Sequence, residues 1–185
     1  MNRVRNLVGL LPILFCLTAS EASARDGFEH YGAWSNVEVS QSEDPHASGF
    51  ELTLWQYQGK LMGYLSQYVG PVADPPLSEI ENLTLDGKTG HISFRAKMSI
   101  GMVHSRKEGT WVPSKDLYFF KGIMSDDRIE GTLERKSEDE PNRGGVKEKI
   151  ALKGRKGKDE FWDNMTYQEW KDFYAPIVKS RGPKW

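Results

Sequence analysis

Between Ala33 and Lys153 apolar and polar residues alternate with a period of two, in runs broken by short polar turns. Such alternation marks β-strands, whose successive side chains point to opposite faces. The densest stretch is Gly49 to Gly70, GFELTLWQYQGKLMGYLSQYVG, which reads as two strands around a tight turn at Gln58-Gly59. In the first strand Phe50, Leu52 and Leu54 point one way, and Trp55 and Tyr57 the other. In the second, Leu61, Gly63 and Leu65 alternate with Met62, Tyr64 and Tyr68. A hairpin apolar on both faces needs cover on both, which predicts a central position.

Further strands follow the same rule. Ala33 to Ser40 is predicted as the first, with Val37 and Val39 on one face and Trp34 on the other. Three prolines make Pro71 to Ser78 a loop. Asn82 to Asp86 and His91 to Ile100 flank an Asp-Gly turn, with Ile92, Phe94, Ala96, Met98 and Ile100 predicted to face inward. Val103 to Lys115 reads as a longer loop whose Trp111 should dock. Leu117 to Met124, Arg128 to Lys136 and Val146 to Lys153 complete about eight antiparallel strands. The rhythm predicts an all-β domain over 25–160, a barrel or a sandwich.

The period changes after Thr166. Tyr167, Trp170, Phe173 or Tyr174, and Ile177 form one helical stripe, and Thr166 with Glu169 forms a capping box. Pro176 is expected to kink or end this helix. The segment 161–185 is therefore predicted as a C-terminal α-helix packing on the β domain.

The chain opens differently. Arg3 and Arg5 precede the apolar run Leu7 to Ala19, and Ala22-Ser23-Ala24 is a small-x-small site. This is the pattern of a signal peptide over 1–24, too short for a membrane anchor. The expected destination is the periplasm or the extracellular space, and no transmembrane segment is expected in the mature chain. Cleavage after Ala24 would remove Cys16, the single cysteine. That excludes cysteine nucleophiles and thiolate metal sites from the mature protein. With 25 basic against 26 acidic residues, the chain lacks the strongly basic footprint of a nucleic-acid binder.

Gly32-Ala33-Trp34 is a G-x-W triplet at the start of the first strand. It resembles the entry motif of the lipocalins and, with Asn36, the G-x-W-x-N of avidin-type barrels; together these belong to the calycins. The resemblance covers residues 32–36, and neither the later lipocalin motifs nor the avidin biotin-site pattern is present. It implies a barrel in which Trp34 plugs one end beneath a cavity for a small hydrophobic ligand.

For chemistry, the aromatic set Trp55, Tyr57, Tyr64, Tyr68, Tyr118 and Phe120 falls on the second face of three strands. Lining a cavity, these residues would bind a small hydrophobic or amphipathic ligand, with tyrosine hydroxyls as polar handles. Packed under the Trp170 helix, they are architecture. The histidines (His30, His46, His91 and His104) show no metal-ligand spacing. No serine sits in a nucleophile motif. No catalytic residue, metal ligand or cofactor is therefore assigned. Lys153, Arg155, Lys156 and Lys158 cluster four cations that would suit an anionic envelope component. The expected function is an exported, non-enzymatic β-barrel that binds a small ligand. The alternative is an interaction module with a filled core that docks a protein or an anionic polymer.

Overall fold

The structure, a computed structural model, describes residues 27–105, 107–142, 144–155, 162 and 164–185. The strands are β1 (Phe28–Ser35), β2 (Glu38–Val39), β3 (His46–Tyr57), β4 (Lys60–Pro71), β5 (Leu77–Leu85), β6 (His91–Met98), β7 (Met102–Ser105), β8 (Thr110–Pro113), β9 (Asp116–Ser125), β10 (Arg128–Ser137) and β11 (Val146–Gly154). The helix α1 (Tyr167–Arg181) follows. The main sheet runs β1-β11-β10-β9-β6-β5-β4-β3-β2 and closes on itself because β1 also pairs with β3. Eight of its strands form a closed antiparallel barrel, with β2 a short continuation on the edge of β3.

Closure is uneven. β1 lies along β3 from Phe28–Tyr57 to Ser35–Glu51, but meets β11 only at Trp34–Gly154 and Ser35–Lys153. Beyond Ser35 the chain stays on β3, where Asn36 accepts the Phe50 N–H through Oδ1 at 2.7 Å. β11 is thereby left behind.

The two ends of the barrel also differ. One end is shut by Gln58-Gly59, Asp86–Gly90 and Asp126-Asp127. Gln58 and Gly59 both take positive φ, 50° and 75°, as a two-residue turn matched to strand twist requires. The other, open end carries the longer connections, including the separate β7–β8 hairpin.

The interior is filled. Leu52, Leu54, Leu65, Ile92, Ile129 and Leu133 are almost wholly buried inside. Phe120 stacks on Phe94 with centroids 5.1 Å apart. Its ring lies across the cross-strand pair Gly122–Gly131, where an added Cβ on either residue would sit 2.6 Å from the Phe120 ring. An eight-stranded barrel is just wide enough for side chains to fill, and this one uses glycines to admit a ring.

Several expectations change. The first strand begins at Phe28 rather than Ala33, and Val39 is exposed on the two-residue β2. Alternation there is obscured by Gly32 and by a register shift between His30 and Gly32. The expected loop 103–115 is mostly the β7–β8 hairpin, and Trp111 stays 63% exposed instead of docking. Pro176 does not end α1, which continues to Arg181. The carbonyl that loses its donor at Pro176 belongs to Asp172, an exposed residue on the solvent side of the helix.

Candidate functional site at the open end of the barrel

Alternation decides where the aromatic residues go, and it divides the candidate set in two. Tyr118 and Phe120 share the inward phase of β9 and lie in the barrel interior. Trp55, Tyr57, Tyr64 and Tyr68 point outward from β3 and β4. The set therefore does not line one cavity. The shared second face expected for them does not exist, because Tyr118 and Phe120 keep the inner phase, opposite to that of Trp55.

Outside, α1 covers the sheet. Trp55 meets Trp170 at 5.5 Å and Tyr174 at 5.3 Å, Tyr64 stacks on Tyr174 at 4.4 Å, and Tyr57 stacks on Tyr167 at 4.1 Å. The capping box starts the helix as expected: Thr166 Oγ1 accepts the Glu169 N–H, and the Glu169 carboxylate accepts the Thr166 N–H. The Thr166 backbone N–H and the Thr166 hydroxyl both donate to the Glu169 carboxylate and hold it below its ordinary pKa. Burial raises the phenols of Tyr64 and Tyr174 well above the ordinary range; Glu79 adds to the first, and Tyr64 itself to the second. The indole N–H groups of Trp55 and Trp170 are buried without an acceptor among the described residues, a cost outweighed by the ring area removed from water.

Inside, Trp34 is buried and folds back over Gly32, where a Cβ would stand 2.6 Å from its ring. Glycine at position 32 is what lets the indole lie flat. Nearer the open end the filling turns polar. Tyr118 donates its hydroxyl to Gln67 Oε1 at 2.6 Å. Buried Asp116 accepts Arg135 Nε at 2.9 Å and the Ser114 hydroxyl at 2.6 Å. Ser114 Oγ in turn accepts the Ile100 N–H at 3.1 Å, which ties the foot of the β7–β8 hairpin to the barrel. Burial pushes the Tyr118 phenol upward; Arg135 opposes that and Asp116 reinforces it. Asp116 and Arg135 are not among the residues expected from the sequence to form a site. Their signal was available in principle, since each is in phase with the inward residues of its strand.

Above this layer lies a recess of about 500 Å³, bordered by Asn36, Phe50, Gln67, Val69, Lys149 and Ile150. It opens in the wedge where β2 and β11 diverge. A second recess of about 570 Å³ lies at the hairpin foot, between Met102, Pro113, Asp74, Arg181 and Lys184. Tyr68 is half-buried outside the barrel; burial and then Glu51 raise its pKa, while Arg155 and Arg181 lower it. Of the large apolar side chains left exposed, Val39, Val69, Val72, Met102, Trp111 and Val146 belong to the open end.

Lys153 and Arg155 are on the outer face, with Arg155 paired to Glu51. Lys156 and Lys158, like the segment 1–24 that is expected to be a signal peptide, lie outside the described residues. Among the described residues, no three His, Cys, Asp or Glu side chains gather to hold a metal ion. No helix among them is long and apolar enough to cross a membrane. Comparison with protein-family models, curated proteins and solved structures finds no match. The barrel with its C-terminal helix is compatible with a calycin-like fold, and residues 32–36 carry that resemblance.

Proposed function

We propose that this protein is an exported, non-enzymatic interaction module that docks a partner through the outside and open end of its barrel. One observation carries this reading: the interior is occupied by its own side chains, with Phe120 laid across Gly122 and Gly131. An enclosed ligand site needs some hundreds of Å³ of interior space, and here that space is packed core. The exposed apolar residues at the open end supply surface suited to a partner.

A second reading, a carrier of a small amphipathic ligand, is favoured by the recess beside Phe50 and Gln67. Its volume suits a small molecule, with Gln67 as the polar group and Val69 and Ile150 as the apolar wall. Such a ligand would rest on the barrel's mouth and not inside it.

Native mass spectrometry of the full protein, purified from the compartment to which its leader directs it, separates the two readings. The module reading expects the mass of the chain alone, together with salt-sensitive capture of a macromolecular partner. A small molecule that co-purifies, and that is lost when Gln67 and Val69 are replaced, would establish the carrier instead.

A further inference from the structure

The open seam of the barrel has an unused strand edge. Val146 to Leu152 pair with β10 on one side, from Arg135–Val146 to Ile129–Leu152. On the other side β11 meets β1 only at Lys153 and Gly154, so among the described residues seven consecutive positions keep one unpaired edge. A row of unpaired N–H and C=O groups is a template for another strand, and natural barrels exist in part to abolish it. This barrel stops short of doing so.

The outward phase of the same strand is cationic. Lys147, Lys149 and Lys153 all point away from the interior, while Ile150 and Leu152 point in and are buried. Arg155 continues the series, spanning about 27 Å at the rise of a strand. Lys147 meets Glu134 at 3.7 Å and Arg155 pairs with Glu51, while Lys149 and Lys153 make no ion pair with any described residue. Beside this edge is the recess, to which β11 contributes Glu148, Lys149 and Ile150, with Val69 exposed at its lip.

We infer that the β11 edge receives an extended acidic segment of a partner protein by strand addition. The segment alternates apolar residues, which enter the recess over Phe50 and Ile150, with carboxylates that lie beside Lys147 and Lys149, short of Lys153, where β1 rejoins the strand. Main-chain bonds to β11 supply affinity and the alternation supplies specificity. The lysines also disfavour pairing of this edge with a second copy of the chain. Antiparallel β11 strands would set lysine against lysine, which is destabilising. The inference rests on the reading of the protein as a docking module and names where the partner lies.

The test uses the full folded protein and a capped synthetic peptide of about seven residues, the length of the free edge, alternating glutamate with valine and threonine. Amide exchange, followed residue by residue, should slow at Val146–Leu152 when the peptide binds. Reversing Lys147 and Lys149 to glutamate should weaken binding at least about tenfold, and a lysine-bearing peptide should then bind the reversed variant. Polyglutamate and an anionic polysaccharide serve as controls without strand alternation. If they bind as well as the peptide and β11 exchange is unchanged, the stripe is a polyanion site and strand addition is overturned. If the peptide binds elsewhere or not at all, strand addition is likewise overturned. Neither result touches the broader docking reading, which is tested separately by whether a small ligand or a macromolecular partner co-purifies.

Discussion

Gln58-Gly59, Asp86–Gly90 and Asp126-Asp127 shut one end of the barrel with two to five residues each, whereas the other end carries the β7–β8 hairpin, two recesses and six exposed apolar side chains. Inside, the same polarity holds. The half toward the tight turns is filled by Trp34, Phe94 and Phe120, while Tyr118, Gln67, Asp116 and Arg135 fill the half toward the opening. Tight turns and apolar filling serve stability alone. Long connections and exposed apolar surface cost stability and persist where a surface is used. The difference assigns structure to one end and contact to the other.

The largest expected effect lies in the closed half. Phe120→Ala should destabilise the fold by about 3–5 kcal/mol, because Gly122 and Gly131 cannot collapse into the space. Chemical denaturation would measure this, and a loss below about 1 kcal/mol would mean that the ring does not fill the barrel. In the open half, Asp116→Ala should cost about 2 kcal/mol, since it takes the carboxylate partner from half-exposed Arg135 and releases the Ser114 hydroxyl. Exchange of the Ile100 amide should accelerate with it, and unchanged exchange would show that the hairpin foot does not depend on this cluster.

Alkaline pH probes both apolar layers together. Tyr118 inside and Tyr64 and Tyr174 under α1 have folded pKa values raised by burial. Their contribution is therefore fully present below the unfolded tyrosine pKa of about 10, and is lost as pH rises from there toward the folded values. Stability followed by far-ultraviolet circular dichroism should fall steeply above that pH. A flat profile would contradict the buried phenols. Thr166→Ala removes the helix cap and should cost about 1 kcal/mol, with Trp170 fluorescence reporting looser packing. Trp111→Ala should change stability by less than about 0.5 kcal/mol, as expected of a contact surface without a structural role. A large loss there would erase the contrast between the ends.

Much of this fold was legible from alternation. Eight strands, the turn at Gln58-Gly59, the inward set Ile92 to Met98, the Thr166–Glu169 capping box and the helix stripe through Trp170 all follow from local rules. What was not legible depends on which strands become neighbours. The phase of Tyr118 and Phe120 is fixed within β9, but whether it matches the phase of Trp55 is decided only when the barrel closes. The lysines of β11 are plain in the sequence; that they flank an unpaired edge follows from β1 leaving β11 after two residue pairs. Trp111 looks like a docking residue by type and stands exposed because its hairpin projects from the barrel.

Xenon pressurisation of crystals of the full protein tests the central claim most directly, since the gas enters dry apolar cavities and leaves filled ones alone. A barrel filled by Trp34, Phe94 and Phe120 should show no xenon among these side chains. Xenon bound between Phe120 and Leu52 would reveal a ligand-sized lumen and contradict a protein that acts from its outer surface.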